Sequence, residues 1–233
     1  MSRQVLAGVV AAVAAFTLSG CAGANPGVAV NVGDQTLSTS EVDELTVAYC
    51  EGIAPQLESG GAVFPMGFVR GYVVRNLTLQ AAAEQLAEHY SVELPPSYDE
   101  AVRTLRTNLE TSFRADRVDQ ALEVDSAGLY VDAVELAVGE LLLEQAGQTG
   151  ADDEAKRARG KDALQEWLSE HPADVNPRYG IAVTGTDLGP PNFIDTGTSF
   201  PLSATAVNAE KAGSDDGPDP DYTATLPSSQ RCG

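Results

Sequence analysis

Histidine occurs twice in this sequence, as His89 and His171, and tryptophan once, as Trp167. So few imidazoles leave little material for histidine-based acid–base or nucleophilic catalysis. No Gly-x-Ser-x-Gly turn and no paired nucleophile and base is visible. Basic residues are scarce as well: 14 Lys+Arg stand against 34 Asp+Glu, a formal net charge of −20. A surface this acidic repels phosphate backbones, which argues against nucleic acid as a partner. Cysteine occurs three times and never as Cys-x-x-Cys, so its reading is structural and not redox-active. Beyond the N-terminal segment no apolar run approaches the length needed to cross a bilayer.

What is present begins with export. Arg3 is the only charge before Asp34, and Val5 to Leu18 is apolar apart from Gly8 and Thr17. That run is too short to span a membrane and has the character of a signal-peptide core. It ends in Leu18-Ser19-Gly20-Cys21, which resembles the lipobox of bacterial lipoproteins. The resemblance implies cleavage before Cys21 and a lipid on its thiol; the alternative is an ordinary signal peptide that happens to contain a cysteine. Setting Cys21 aside leaves Cys50 and Cys232, which in an oxidising envelope most simply pair. Such a bridge closes a loop of about 180 residues, worth roughly 5 kcal/mol at most in the chain-entropy picture. The other possibility is a buried free Cys50 with Cys232 loose on the tail.

The most strongly specified stretch is Val28 to Ile53. Val28, Val30 and Val32 alternate with small or polar residues, the period of a half-buried strand. Gly33-Asp34 supplies a hairpin turn, and Gln35 to Leu37 a short return strand. Ser38-x-x-Glu41 is a capping box, with Leu37 and Val42 spaced as a hydrophobic staple. Val42, Leu45, Tyr49 and Ile53 then make one helical stripe, which ends at Glu58-Ser59-Gly60-Gly61-Ala62.

Pro65 suits the first turn of a second helix, striped by Met66, Val69, Val73 and Leu77 and running to about Tyr90. No charge falls between Arg75 and Glu84, so this helix is expected at the centre of a bundle, buried on more than one side. Leu94-Pro95-Pro96 ends it. Ser97-x-x-Glu100 reads as a second capping box, followed by Val102, Leu105, Leu109 and Phe113 on one face. A further helix spans about Arg117 to Gln145, with a kink expected near Asp125-Ser126-Ala127-Gly128. After a polar break at Gly147–Asp153, a last long helix covers Asp152 to His171 and turns Leu164, Trp167 and Leu168 inward. His171 falls at its C-terminus, where a cation suits the helix dipole. Val175, Tyr179, Ile181 and Val183 then occupy alternate positions.

From residue 187 the composition changes to Gly, Pro and Asp, a loop-rich tail that Phe193, Ile194, Phe200, Leu202 and Leu226 are placed to dock. Its Asp215, Asp216, Asp219 and Asp221 do not match an EF-hand, and read as a solvated acidic loop and not a calcium site. No metal site and no cofactor is expected.

Two stretches resemble one family. The opening VGDQTLSTSEVDEL, and a late helix ending Trp167-Leu168-x-x-His171 before Val175-Asn176-Pro177-Arg178-Tyr179-Gly180, are similar to the N-terminal chaperone domain of SurA/PrsA-type extracytoplasmic foldases. The resemblance implies that Asn176–Val183 returns beside Val28–Val32, so that both chain ends build one small sheet. Foldases of this class usually carry a parvulin prolyl-isomerase domain at the place that Gly147–Asp153 occupies here, so the resemblance implies the chaperone module without isomerase activity.

The expected fold is therefore mainly α, about five helices with a small antiparallel sheet formed by the N-terminal hairpin and a late returning strand. Residues 1–20 are read as the leader, 21–27 as a lipid tether, 28–186 as the helical domain and 187–233 as the tail. The location expected is the outer face of a bacterial cytoplasmic membrane, anchored through Cys21. The function implied by the resemblance is non-enzymatic holding of unfolded or newly exported polypeptides. Phe64, Met66 and Phe68 are its candidate peptide-binding residues, against the alternative that they are core. The competing reading is an adaptor lipoprotein that binds one cell-envelope partner.

Overall fold

Val28–Val32 forms strand β1, and Gln35–Ser38 forms β2, antiparallel to it across the Gly33-Asp34 turn. These and the other elements come from a computed structural model, which describes residues 27–186 and 220–233. Gly33 takes φ +55°, and a side chain there would run into Gln85. The close approach is used: Gln85 Nε2 donates to Val32 O (2.9 Å), and Asp34 N donates to Gln85 Oε1 (3.3 Å). Strand alternation is incomplete, because Ala29 is buried beside Val30 and Val32; the β1–β2 register shifts between Val28 and Val30. A bulge of this kind turns two successive side chains toward the core.

Helix α1 (Thr39–Gly60) starts at the expected box. Glu41 N donates to Ser38 Oγ (3.1 Å), and Ser38 N donates to Glu41 Oε2 (3.4 Å). It stops at Gly61, whose φ of +66° is cheap only without a Cβ. Helix α2 (Met66–Tyr90) follows a two-residue strand, β3 (Phe64–Pro65), and is the central element. Val73, Val74, Leu77, Leu79, Ala81–Ala83 and Leu86 are buried around its whole circumference, which is what a charge-free run permits.

The second capping box does not form. Helix α3 (Pro96–Ser112) begins before Ser97, with Pro95 as its cap residue and no side-chain cap hydrogen bond. Pro96 at the first helical position presets φ, so Ser97 is already inside the first turn and cannot act as cap. Helix α4 (Val118–Gln145) runs through Asp125–Gly128 as continuous helix and is entered by a 3₁₀ turn at Ala115–Arg117. Asp125 spends its carboxylate on neighbouring helices and so leaves the local backbone alone.

Helix α5 (Asp153–Glu170), capped by Asp152, lies against α4 in backbone contact. A Cβ on Gly139 would strike Lys156 O, and one on Gly160 would strike Glu135 O. Two cross-helix ion pairs flank this crossing, Lys156–Glu140 (2.6 Å) and Arg157–Asp132 (2.7 Å).

The returning strand is shorter and earlier than expected. Strand β4 is Asp174–Val175, antiparallel to β1 with Val175 opposite Val30, so the sheet order is β2-β1-β4. Asn176 extends the pairing through Nδ2 to Val28 O and N to Ala29 O (2.9 and 2.8 Å). The chain then leaves the sheet, because Pro177–Tyr179 is a 3₁₀ turn and Gly180 takes φ +63°. Proline removes the next ladder donor, which ends the strand. Tyr179, Ile181 and Val183 are buried all the same.

The end of the tail carries more order than a loop-rich reading allows. A short helix, α6 (Pro220–Thr225), leads through a 3₁₀ turn at Ser228–Gln230 to β5 (Arg231–Cys232), which pairs antiparallel with β3. Cys50 on α1 and Cys232 are bonded as a disulfide, Cα atoms 5.5 Å apart, with Cys232 fully buried. The fold is thus mainly helical with a small antiparallel sheet from both chain ends. Cys21, the leader and tether, Phe193, Ile194, Phe200, Leu202, Asp215, Asp216 and Asp219 lie outside the described residues. Among those described, no helix is long and apolar enough to cross a membrane.

Two predictions follow from this packing. Gly139→Ala and Gly160→Ala should each cost about 1–3 kcal/mol through overpacking, read as a lower urea midpoint. Gly67→Ala, where a Cβ meets nothing, should be neutral or raise stability by up to about 1 kcal/mol. Opening the Cys50–Cys232 bridge, by reduction or as a double Ala variant, should lower unfolding free energy by roughly 2–5 kcal/mol, measured by urea denaturation with and without reductant.

Candidate functional site

The apolar residues that the sequence nominates for peptide binding sit beside the disulfide. Phe64 lies on β3 opposite Cys232, Met66 opens α2, and Phe68 follows two residues later. The Phe64 and Phe68 rings are 5.5 Å apart, and Phe64 and Met66 pack on a small satellite core of Leu57, Val69 and Cys232. All three side chains are half-buried. Phe64 and Met66 thus pack with Cys50 and Cys232 around that satellite core, and Phe68 joins them through the Phe64 ring. Val47 is the one large hydrophobic residue exposed among the described residues.

A different group converges where α2 and α5 end. Leu86, His89 and Tyr90 share one face of the last turn of α2, at spacings of three and four. Ala163, Glu166, Trp167, Glu170 and the cap residue His171 share one face of α5 by the same rule. Together they line a cavity of about 310 Å³. Leu86 and Ala163 are buried in it, and His89, Glu166 and Glu170 are exposed. Its aromatic wall is continuous. His171 stacks on Trp167 (centroids 4.1 Å, planes 23° apart), Trp167 meets His89 at 5.2 Å, and His89 meets Tyr90 edge-on at 4.9 Å. His171 is held by its own helix end, since its backbone N and its Nδ1 both donate to Trp167 O (2.8 and 3.1 Å). The Trp167 Nε1–H is buried without a hydrogen-bond partner.

Both histidines and the single tryptophan of the chain therefore share one cavity; the late-helix motif already joined Trp167 to His171, and His89 is the residue it left out. The available signal was positional: His89-Tyr90 and Trp167-x-x-x-His171 each close a helix, and helix ends carry their rings on one face. No group of three His, Cys, Asp or Glu side chains suited to a metal ion occurs among the described residues. Two carboxylates and an aromatic wall, with no Lys or Arg in the lining, give this cavity a character that suits positive charge better than negative.

A second polar cluster is internal. Asp125 Oδ1 on α4 accepts from the hydroxyls of Tyr49 on α1 and Tyr72 on α2, each at 3.0 Å. Burial pushes the Asp125 carboxyl above its ordinary value, against the two hydroxyl donors, which favour the charged form. Burial, with the Asp125 charge next, pushes Tyr72 up to about 12 and Tyr49 higher still. Tyr49 also packs on Phe113 with ring centroids 5.6 Å apart, and Asn76 Nδ2 donates to Val124 O (3.3 Å). The cluster ties three helices together.

Because the folded carboxyl titrates above its ordinary 3.8, the native state holds the proton longer than the unfolded chain. The contribution of Asp125 to stability is then present at acid pH and lost as pH rises through the folded value. Asp125→Asn removes that loss and keeps an acceptor for both tyrosines. Its stability relative to the parent should therefore improve from pH 4 to pH 7, measured by urea unfolding at both; an unchanged difference would contradict the assignment.

Compared with family models, with curated proteins and with solved structures, the chain matches none.

Proposed function

We propose that this protein is an exported, lipid-anchored binding module that docks one polypeptide of the cell envelope and performs no chemistry on it. The observation that carries the reading is how the apolar surface is used. A general holdase needs an accessible apolar groove for client segments. Here Phe64 and Met66 are packed into the satellite core, and Val47 is the single exposed large hydrophobic among the described residues. The cleft at the ends of α2 and α5 is polar, aromatic and acidic instead. Such a lining suits one matched partner better than many unfolded ones. Anchoring rests on the Leu18-Ser19-Gly20-Cys21 pattern, and the polypeptide class of the partner on the likeness to SurA/PrsA-type domains.

The holdase reading, which that likeness also implies, differs in outcome. The exported protein, purified with its bridge formed, should leave the light scattering of several unrelated unfolding clients unchanged at equimolar ratio. Cross-linking on intact cells should then give one stoichiometric adduct, and Cys21→Ser should release the protein from the membrane fraction. Suppression of scattering across clients would restore the holdase and end the single-partner reading.

A further inference from the structure

We propose that the cavity between the ends of α2 and α5 receives a basic side chain of the docked polypeptide, an Arg guanidinium or a Lys ammonium. The inference rests on the docking reading above. Four observations converge on it. The rim carries the exposed carboxylates of Glu166 and Glu170, and no lysine or arginine lines the cavity. The rings of Tyr90, His89, Trp167 and His171 form a contiguous wall, with neighbouring centroids 4.1–5.2 Å apart. A cation over an uncovered ring face gains from the ring quadrupole as well as from the carboxylates, one face of Trp167 being taken by the stacked His171. The volume, about 310 Å³, stands at the small end of ligand cavities and suits one extended side chain. The whole chain adds a field of the same sign, with a net charge of −20. An anion is opposed by the two carboxylates and by the net charge, and a neutral ligand gains from the ring wall alone.

Trp167 is the single tryptophan of the chain and lies in the wall, so intrinsic fluorescence reads the site directly. Titration of the full-length protein with arginine amide or lysine amide, at constant ionic strength, should give a saturable change that sodium chloride does not reproduce. The His89 and His171 ring proton resonances should shift over the same concentration range. Glu166→Gln and Glu170→Gln should each weaken the affinity by up to about fivefold, as for partly exposed ion pairs. The proposal is overturned by no saturable change, by a change equal to that from salt, or by a response untouched in the doubly substituted protein. Tighter binding of choline than of either amide would also overturn it, by assigning the cavity to a quaternary ammonium. The two readings fail separately. A cross-linked partner whose yield ignores both glutamines would sink the cavity assignment alone. Saturable arginine amide binding without any cross-linked partner would sink the docking function alone.

Discussion

Everything in this fold is arranged around the burial of α2 on all sides. Between Arg75 and Glu84 the helix presents no charge, and its side chains run from Leu77 and Leu79 through Ala81–Ala83 to Leu86. A helix without a polar face has to be enclosed, and four elements enclose it here: α1, α4, α5 and β1. The alanine run matters as much as the leucines, because small side chains let neighbours approach closely. The polar residues on the helix are consumed locally. Gln85 fastens the β1–β2 turn, and Asn76 and Tyr72 reach α4, so the enclosed helix also sets the register of what surrounds it.

Two closures then stop this assembly from opening at its chain ends. Asn176 and Val175 bring the end of α5 back to β1, and Arg178 reaches Asp43 on α1 (3.2 Å). At the far end the Cys50–Cys232 bridge brings β5 to β3 over the satellite core. The first is made of hydrogen bonds and one exposed ion pair, which contribute little individually. The second is covalent and acts chiefly by restricting the unfolded chain. The two closures therefore stabilise the fold by different routes.

Local chemistry was readable wherever one residue dictates the backbone around it. Ser38 with Glu41, Gly33 and Gly61 each specify their own neighbourhood, and the structure follows them. Ser97 shows where such reading fails, because Pro96 competes for the same helix start and wins by being preset for it. Asp125 shows another limit of local reading, since its partners are the hydroxyls of Tyr49 and Tyr72, distant in sequence. The β3–β5 ladder was beyond local reading altogether, since Phe64 and Cys232 gain strand geometry only from each other. The cavity lies in the same class. Each helix end presents its rings by simple periodicity, and only the crossing of α2 and α5 makes four rings into one wall.

Charge links the fold to the proposed partner. Among the described residues at least seven of the fourteen lysines and arginines are in ion pairs within the chain: Arg70, Arg106, Arg114, Arg117, Lys156, Arg157 and Arg178. Positive charge is thus spent joining helices, as where Lys156 and Arg157 clasp α4, and the excess of carboxylates is left to face outward. A protein built this way disfavours acidic partners before any contact is made. The α2–α5 cavity concentrates that preference, because it adds aromatic faces to carboxylates where the basic residues of α5, all N-terminal to Ala163, do not reach the lining. Where α5 is basic it holds the bundle together. Where it turns acidic and aromatic, at its last two turns, its side chains line the cavity instead.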